Sequence, residues 1–172
     1  MEKLIRVIDR LSGSTGVIAA WLVVPLVAAT CYEVFARYAL NAPTIWAFEL
    51  GYMLTGANFL IGAAYTLRER GHIRIDILYN HLPARTRAII DVAGYVFLFL
   101  PAALWLDVAL WKYALSAIKS QEFSGQSAWN PVIWPFRVVF FSGFLLLTLQ
   151  GVAELIRASR YLSGRDPNWD AR

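Results

Sequence analysis

At 172 residues the chain has the length of one domain, yet it is 58% hydrophobic and only 16% charged, with a mean hydropathy of +0.50. A soluble domain carries about 25% charged residues, so water is excluded as the solvent for most of this surface. The net charge of +4 does not mark a nucleic-acid binder, because the basic residues fall in short segments between apolar runs instead of gathering on one soluble face.

Lys3, Arg6 and Arg10 precede the first apolar run, as in a signal peptide. The charge-free stretch 11–32 is longer than the roughly 7–15 residues of a cleavable core, and no Ala-x-Ala motif closes it. A retained helix crossing over 13–36 is expected, kinked at Pro25. Cys31, the single cysteine, excludes an intrachain disulfide and reads as a buried, inert thiol. Thr30 is a poor residue before a lipidated cysteine.

Asn41-Ala42-Pro43 closes the first loop, since a residue before proline disfavours the helical region. The second span, 45–67, carries Gly51, Thr55, Gly56, Asn58 and Gly62. Small residues let helix backbones approach in lipid, and an asparagine can hydrogen-bond across helices. Packing within the bundle and docking onto a larger partner both fit this pattern. Next, His72, Arg74 and Asp76 alternate with Ile73, Ile75 and Ile77. That segment suits either a solvated loop whose isoleucines dip into the interface or a docking strip for another subunit. A short interfacial helix over 77–82 is expected with Asp76 as its cap, and Pro83 suits the first turn of the helix after it. The third span, 87–112, has Asp91 and Asp107 near its ends and a kink at Pro101. The fourth, 135–157, is bracketed by Arg137 and Glu154 and contains Gly143 and Gly151. The expected fold is an all-α integral membrane protein, a single domain 1–172. It forms a four-transmembrane-helix bundle with a short interfacial helix between helices two and three.

Orientation follows from the arginines and lysines of the flanks. Twelve lie in the N-terminus, the segment between spans two and three, and the C-terminal tail, against four on the opposite side. Both termini are therefore expected in the cytoplasm. Trp46, Trp111, Trp129 and Trp134 sit at span ends on the outer side, as headgroup anchors do. Trp21 and Trp105 lie within spans and should face lipid or a partner helix.

Ionisable groups at membrane depth are functional candidates. By this topology Glu33, Arg37, Glu49, Asp107, Lys112 and Arg137 all fall near the outer interface. Glu33 and Arg37 have the spacing of a helical ion pair. Asp107 and Arg137, which end and begin consecutive spans, are expected to pair across helices and fix bundle register; the alternative is that each reaches the headgroups independently. Glu49 lies within about one turn of the outer end, beside Trp46, which favours a structural role over a proton-coupling one. Axial haem ligands would have to project into the bundle, whereas His72 and His81 lie in the loop. With no Cys/His cluster, phosphate loop or nucleophile turn, neither a cofactor nor an enzyme is expected.

Arg37 closing span one, Trp46 and Glu49 opening span two, the Arg68…His72-Ile73-Arg74-Ile75-Asp76 segment, and Pro131/Trp134 ahead of a Gly143-containing fourth span occur here in order. Over roughly 33–156 the chain resembles the small membrane subunit, DctQ-like, of tripartite ATP-independent periplasmic (TRAP) transporters. The resemblance implies a scaffold subunit of a sodium-coupled secondary uptake system for small organic acids in the bacterial inner membrane. Its partners would be a large multi-span transport subunit and a periplasmic substrate-binding protein, with membrane lipids around it. The outer loops 40–46 and 120–134 would face the binding protein, with Arg37, Glu122 and Asn130 as polar contacts. The absence of a deep polar site or broken helices accords with a scaffold. A self-contained, proton-coupled four-helix antiporter acting as a homodimer is the alternative and predicts loss of transport on Glu49→Gln. A membrane anchor for a redox enzyme would require bound haem or quinone.

Overall fold

The computed structural model describes residues 2–71, 79 and 81–165, and these residues form an all-helical protein of four helices. Helix α1 spans Glu2–Ala39, α2 Ala47–Arg68, α3 Ala84–Ser120 and α4 Trp134–Leu162. Three of them, α1, α3 and α4, are long and apolar enough to cross a membrane. Helix α2 has 22 residues, but Glu49, Asn58 and three glycines dilute its apolar content. Residues His72, Arg74 and Asp76, and with them the cap and first turn of the expected interfacial helix, lie outside the described residues.

The helices exceed the expected spans at several ends. α1 begins at Glu2 and α3 runs on to Ser120, because helical hydrogen bonding does not stop where hydrocarbon does. α1 contains Pro25 as one uninterrupted element. In α3 the proline is handled differently. Residues Tyr95–Phe99 form a π turn in which the Leu100 N–H donates to the Tyr95 carbonyl, and Pro101 follows in the first turn of the α segment beyond. A proline ring collides with the carbonyl four residues earlier and leaves it without a donor. The wider turn relieves that collision within a continuous helix.

α2 lies between α1 and α4, and α3 packs chiefly on α4. The interior is built from small residues: among the described residues, twelve of the sixteen buried hydrophobic ones are alanines. Large apolar groups point outward instead, with Trp21 70%, Phe59 74%, Phe97 77% and Trp105 71% exposed. Cys31, expected to be buried, also lies on the exposed face of α1. In water so much contiguous apolar surface drives aggregation; in hydrocarbon it needs no cover.

Glycines receive large side chains where helices meet. Tyr65 of α2 lies over Gly16 of α1, where an added Cβ would come within 2.5 Å of the ring, and the Leu60 backbone is 3.1 Å from the corresponding position at Gly143. The Phe99 ring, turned by the π segment, occupies the slot at Gly151 so closely that a methyl group there would overlap it. Gly151→Ala is therefore expected to destabilise the protein by about 1–3 kcal/mol, the usual range for overpacking. Combining it with Phe99→Leu should recover part of the loss, as measured by thermal denaturation in mild detergent.

Candidate functional site

Polar side chains gather at the two ends of the bundle. At the end that carries the α1–α2 and α3–α4 connections, Glu33 is the first organising group. One of its carboxylate oxygens accepts from the Arg37 guanidinium at 2.5 and 2.9 Å, one helical turn away. The other accepts the Thr44 N–H at 2.8 Å and the Thr44 hydroxyl. The carboxylate thus ties the end of α1 to the loop leading into α2. The loop turns through Asn41 (φ 49°), and the Ala42 N–H closes it onto the Ala36 carbonyl at 3.0 Å. Trp46 stacks on Tyr32 with centroids 5.9 Å apart.

The connection from α3 to α4 is a folded strap. Left-handed Gln121 ends α3. The Ser124 N–H then donates to the Pro131 carbonyl and the Ile133 N–H to the Glu122 carbonyl, both at 2.9 Å, around an antiparallel bridge between Phe123 and Val132. Two polar contacts fasten it. The Ser124 hydroxyl donates at 2.7 Å to Glu49, whose side chain is buried in the first turn of α2. There the helix N-terminus favours a negative charge. Glu122 accepts both terminal nitrogens of Arg137, at 2.5 and 2.6 Å, while that guanidinium lies 3.6 Å over the Tyr113 ring.

This arrangement corrects the expected Asp107–Arg137 pair. α3 continues thirteen residues beyond Asp107, and Arg137 lies over Tyr113, six residues past Asp107, which sets Asp107 back about 9 Å along the helix axis from it. Glu122, on the strap, is nearer to Arg137. Both Asp107 carboxylate oxygens are buried without a hydrogen-bond partner among the described residues, beside Thr148 of α4. The Thr148 hydroxyl donates instead to the Phe144 carbonyl at 3.2 Å. Asn130 is used within the strap, where its side-chain oxygen accepts the Gly125 N–H at 2.8 Å. Arg37 and Glu122 each keep roughly half of their side chain exposed, at 56% and 43%.

At the opposite end, where the chain begins, a second network joins α1, α2 and α4, and the sequence reading had not assembled it. The Ser12 hydroxyl donates to Gln150 at 2.8 Å, and both residues are fully buried. Gln150 donates onward to Asp9 at 3.2 Å and to Glu154 at 3.3 Å. The Arg157 guanidinium bridges Asp9 and Glu154, and Arg68 of α2 donates to the Asp9 carbonyl at 3.2 Å. Farther out, Arg160 hydrogen-bonds Glu2 at 2.9 Å and holds its carboxyl below the ordinary carboxylate range. The available signal was the spacing: Gln150, Glu154 and Arg157 share one face of a helix, as do Asp9 and Ser12.

The small residues of α2 divide between two surroundings. Asn58 donates to the Ala19 carbonyl of α1 at 2.5 Å, and Gly62 lies 3.6 Å, measured from an added Cβ, from Ala19. Gly51, Thr55 and Gly56 instead line an apolar groove of about 710 Å³ that opens outward between Phe48, Phe59 and Phe140.

Residues 26–161 match the family described as tripartite ATP-independent periplasmic transporters, DctQ component. The chain belongs to this family. Members of the DctQ component are membrane subunits of transporters, not enzymes. Among curated relatives, the C4-dicarboxylate TRAP transporter small permease protein DctQ of Vibrio cholerae serotype O1 is 30% identical over 84 residues, 49% of this chain and 36% of that protein. The sialic acid TRAP transporter small permease protein SiaQ of the same organism is 28% identical over 71 residues, 41% of each chain. The chain thus aligns with well under two thirds of the length of either relative. Family and structure agree on a multi-pass membrane protein.

Removing Glu122 leaves a buried guanidinium with only its ring contact. Glu122→Ala is expected to destabilise the protein by about 2 kcal/mol, less than for a fully buried pair because Glu122 is partly solvated. Exchanging the two charges, Glu122→Arg with Arg137→Glu, should recover part of that loss. Asp107→Asn should leave the melting temperature in detergent unchanged or raised, since it removes an unpartnered buried carboxylate.

Proposed function

We propose that the chain is the small scaffold subunit of a sodium-coupled uptake transporter for small organic acids. It supports a large transport subunit and helps to receive a periplasmic substrate-binding protein. The family match over residues 26–161 carries this reading. The substrates named for the two relatives, a C4-dicarboxylate and sialic acid, are both organic acids. The placement of the polar groups supports it as well. Glu33, Glu49, Glu122, Arg137 and Arg157 are each engaged with another part of the same chain.

In this reading α2 is the fourth crossing, 1–172 is one membrane domain, and both termini are cytoplasmic in the bacterial inner membrane. The Glu33–Arg37 pair and the Glu122–Arg137 strap then face the periplasm. There the exposed parts of Arg37 and Glu122 are available to the binding protein, and Asn130 shapes the strap they stand on. His72, Arg74 and Asp76 belong to the cytoplasmic connection. The groove along Gly51, Thr55 and Gly56 is the surface for a helix of the large subunit, since small residues in lipid permit close backbone approach. The antiporter alternative draws on one observation, the buried carboxylate of Glu49. Its position in the first turn of α2, bonded to the strap by Ser124, favours a structural role.

Affinity purification of the chain co-expressed with its neighbouring genes should retain a much larger multi-span protein. Thr55→Trp, on an exposed position of the groove, should reduce that retention at least about tenfold without lowering expression. A phosphatase reporter fused after Arg172 should be inactive. Solute movement into liposomes by the isolated chain, abolished by Glu49→Gln, would establish the antiporter instead.

A further inference from the structure

A cleft of about 420 Å³ opens between the first turns of α1 and the last turns of α4, walled by Glu2, Arg6 and Asp9 on one side and Arg157, Arg160 and Arg165 on the other. Four guanidiniums therefore meet two carboxylates. Both carboxylates are already engaged, Glu2 with Arg160 at 2.9 Å and Asp9 with Arg157. Arg157 is held from its other side by Glu154. Arg165 has no side-chain hydrogen bond or ion pair among the described residues, and Arg6 has none at contact distance, acting on the Glu2 carboxylate only from farther off. Two cations facing one cleft repel each other, and a phosphate group, with several acceptor oxygens, answers both at once.

The level of the cleft indicates where such a group would come from. The same turns of α1 that supply Glu2, Arg6 and Asp9 leave Leu4, Val7 and Leu11 exposed at 55%, 55% and 47%. Apolar groups spaced in this way call for contact with hydrocarbon, so the cleft lies at a membrane surface rather than out in bulk water. Beside it, Ile5 and Ile8 pack against Ala153 and Ile156, which holds the first turns of α1 against α4 and fixes the spacing of the two walls.

We propose that this cleft binds the phosphate group of an anionic phospholipid between the Arg6 and Arg165 guanidiniums. The Glu2–Arg160 and Asp9–Arg157 pairs act as fixed walls. With Glu154 also on Arg157, these inner groups hold no spare positive charge, and the two outer cations set the preference for an anion. The choice of a lipid source rests on the proposed membrane embedding, whereas the cleft as a phosphate site does not.

The test is thermal denaturation of the full chain in mild detergent with added phosphatidylglycerol, phosphatidylcholine or inorganic phosphate. Phosphatidylglycerol should raise the midpoint and phosphatidylcholine should not, with the shift shrinking as salt is added. In Arg6→Gln/Arg165→Gln the half-maximal lipid concentration should rise at least about tenfold, since each charged hydrogen bond removed is of that order. Arg6→Lys/Arg165→Lys should keep part of the shift, which guards against a simple folding defect. Arg85→Gln, an exposed charge that does not line the cleft, should keep all of it. Equal shifts from phosphatidylcholine, or a shift that survives in the double glutamine variant, overturn the proposal. A shift from inorganic phosphate that the double variant abolishes, with none from phosphatidylglycerol, overturns the lipid source.

Discussion

Close approach of α2 to its neighbours is the constraint from which the rest of this structure follows. In hydrocarbon, bringing two helices together gains little from hiding apolar surface, because lipid tails are as apolar as leucine. Association then depends on van der Waals contact at short range and on hydrogen bonds between helices. The Leu60 backbone seated at Gly143, Tyr65 over Gly16, and the Asn58 amide on the Ala19 carbonyl at 2.5 Å supply both kinds. An alanine-rich interior is the consequence, since any larger residue would push the helices apart. Outward-facing Trp21, Phe59 and Trp105 follow too, as the medium outside accepts what the interior cannot hold.

Apolar packing between smooth alanine faces resists sliding only weakly, so register rests on the filled glycine slots and on polar contacts. The polar contacts lie at the two ends. On the side where the chain begins, Asp9 and Ser12 of α1 meet Gln150, Glu154 and Arg157 of α4, while Arg68 of α2 reaches the Asp9 carbonyl. At the far end, Ser124 holds Glu49 and Glu122 holds Arg137. A shift of one helix by a single turn, about 5.4 Å, would break contacts at both ends together. Hydrogen bonds between partly buried charged groups contribute most where the alternative is an unsatisfied charge in low dielectric.

The sequence made the helical class and the rough course of the apolar runs readable, because about 20 residues without charge have few other uses. Ends were less readable. A charge ends a hydrophobic run without ending a helix, so Lys112 concealed the continuation of α3 to Ser120. That single misplacement produced the mistaken pairing of Asp107 with Arg137, whereas Glu122, expected as a contact for the binding protein, reaches Arg137 only because the strap folds back. The Ser12–Gln150 contact joins positions 138 residues apart and depends on which faces of α1 and α4 meet, which periodicity alone does not state. Among the small residues of α2 the pattern was visible but its two uses were not. Asn58 and Gly62 serve the interior, and Gly51 and Thr55 open outward.

A carrier that alternates between two faces of the membrane needs two packings of similar free energy. Here the arrangement favours one. Filled glycine slots admit a side chain in a single position, and the polar clamps at opposite ends of α1, α2 and α4 would have to release at once for these helices to slide. α3 is different, since it packs chiefly on α4 and carries the π turn that delivers Phe99 to Gly151. Its other faces are left to lipid or to a partner, with Phe97, Leu98 and Trp105 among its most exposed groups. A body rigid in three helices and flanked by a fourth suits a static support better than a moving part, because a support must keep its shape while its neighbour changes.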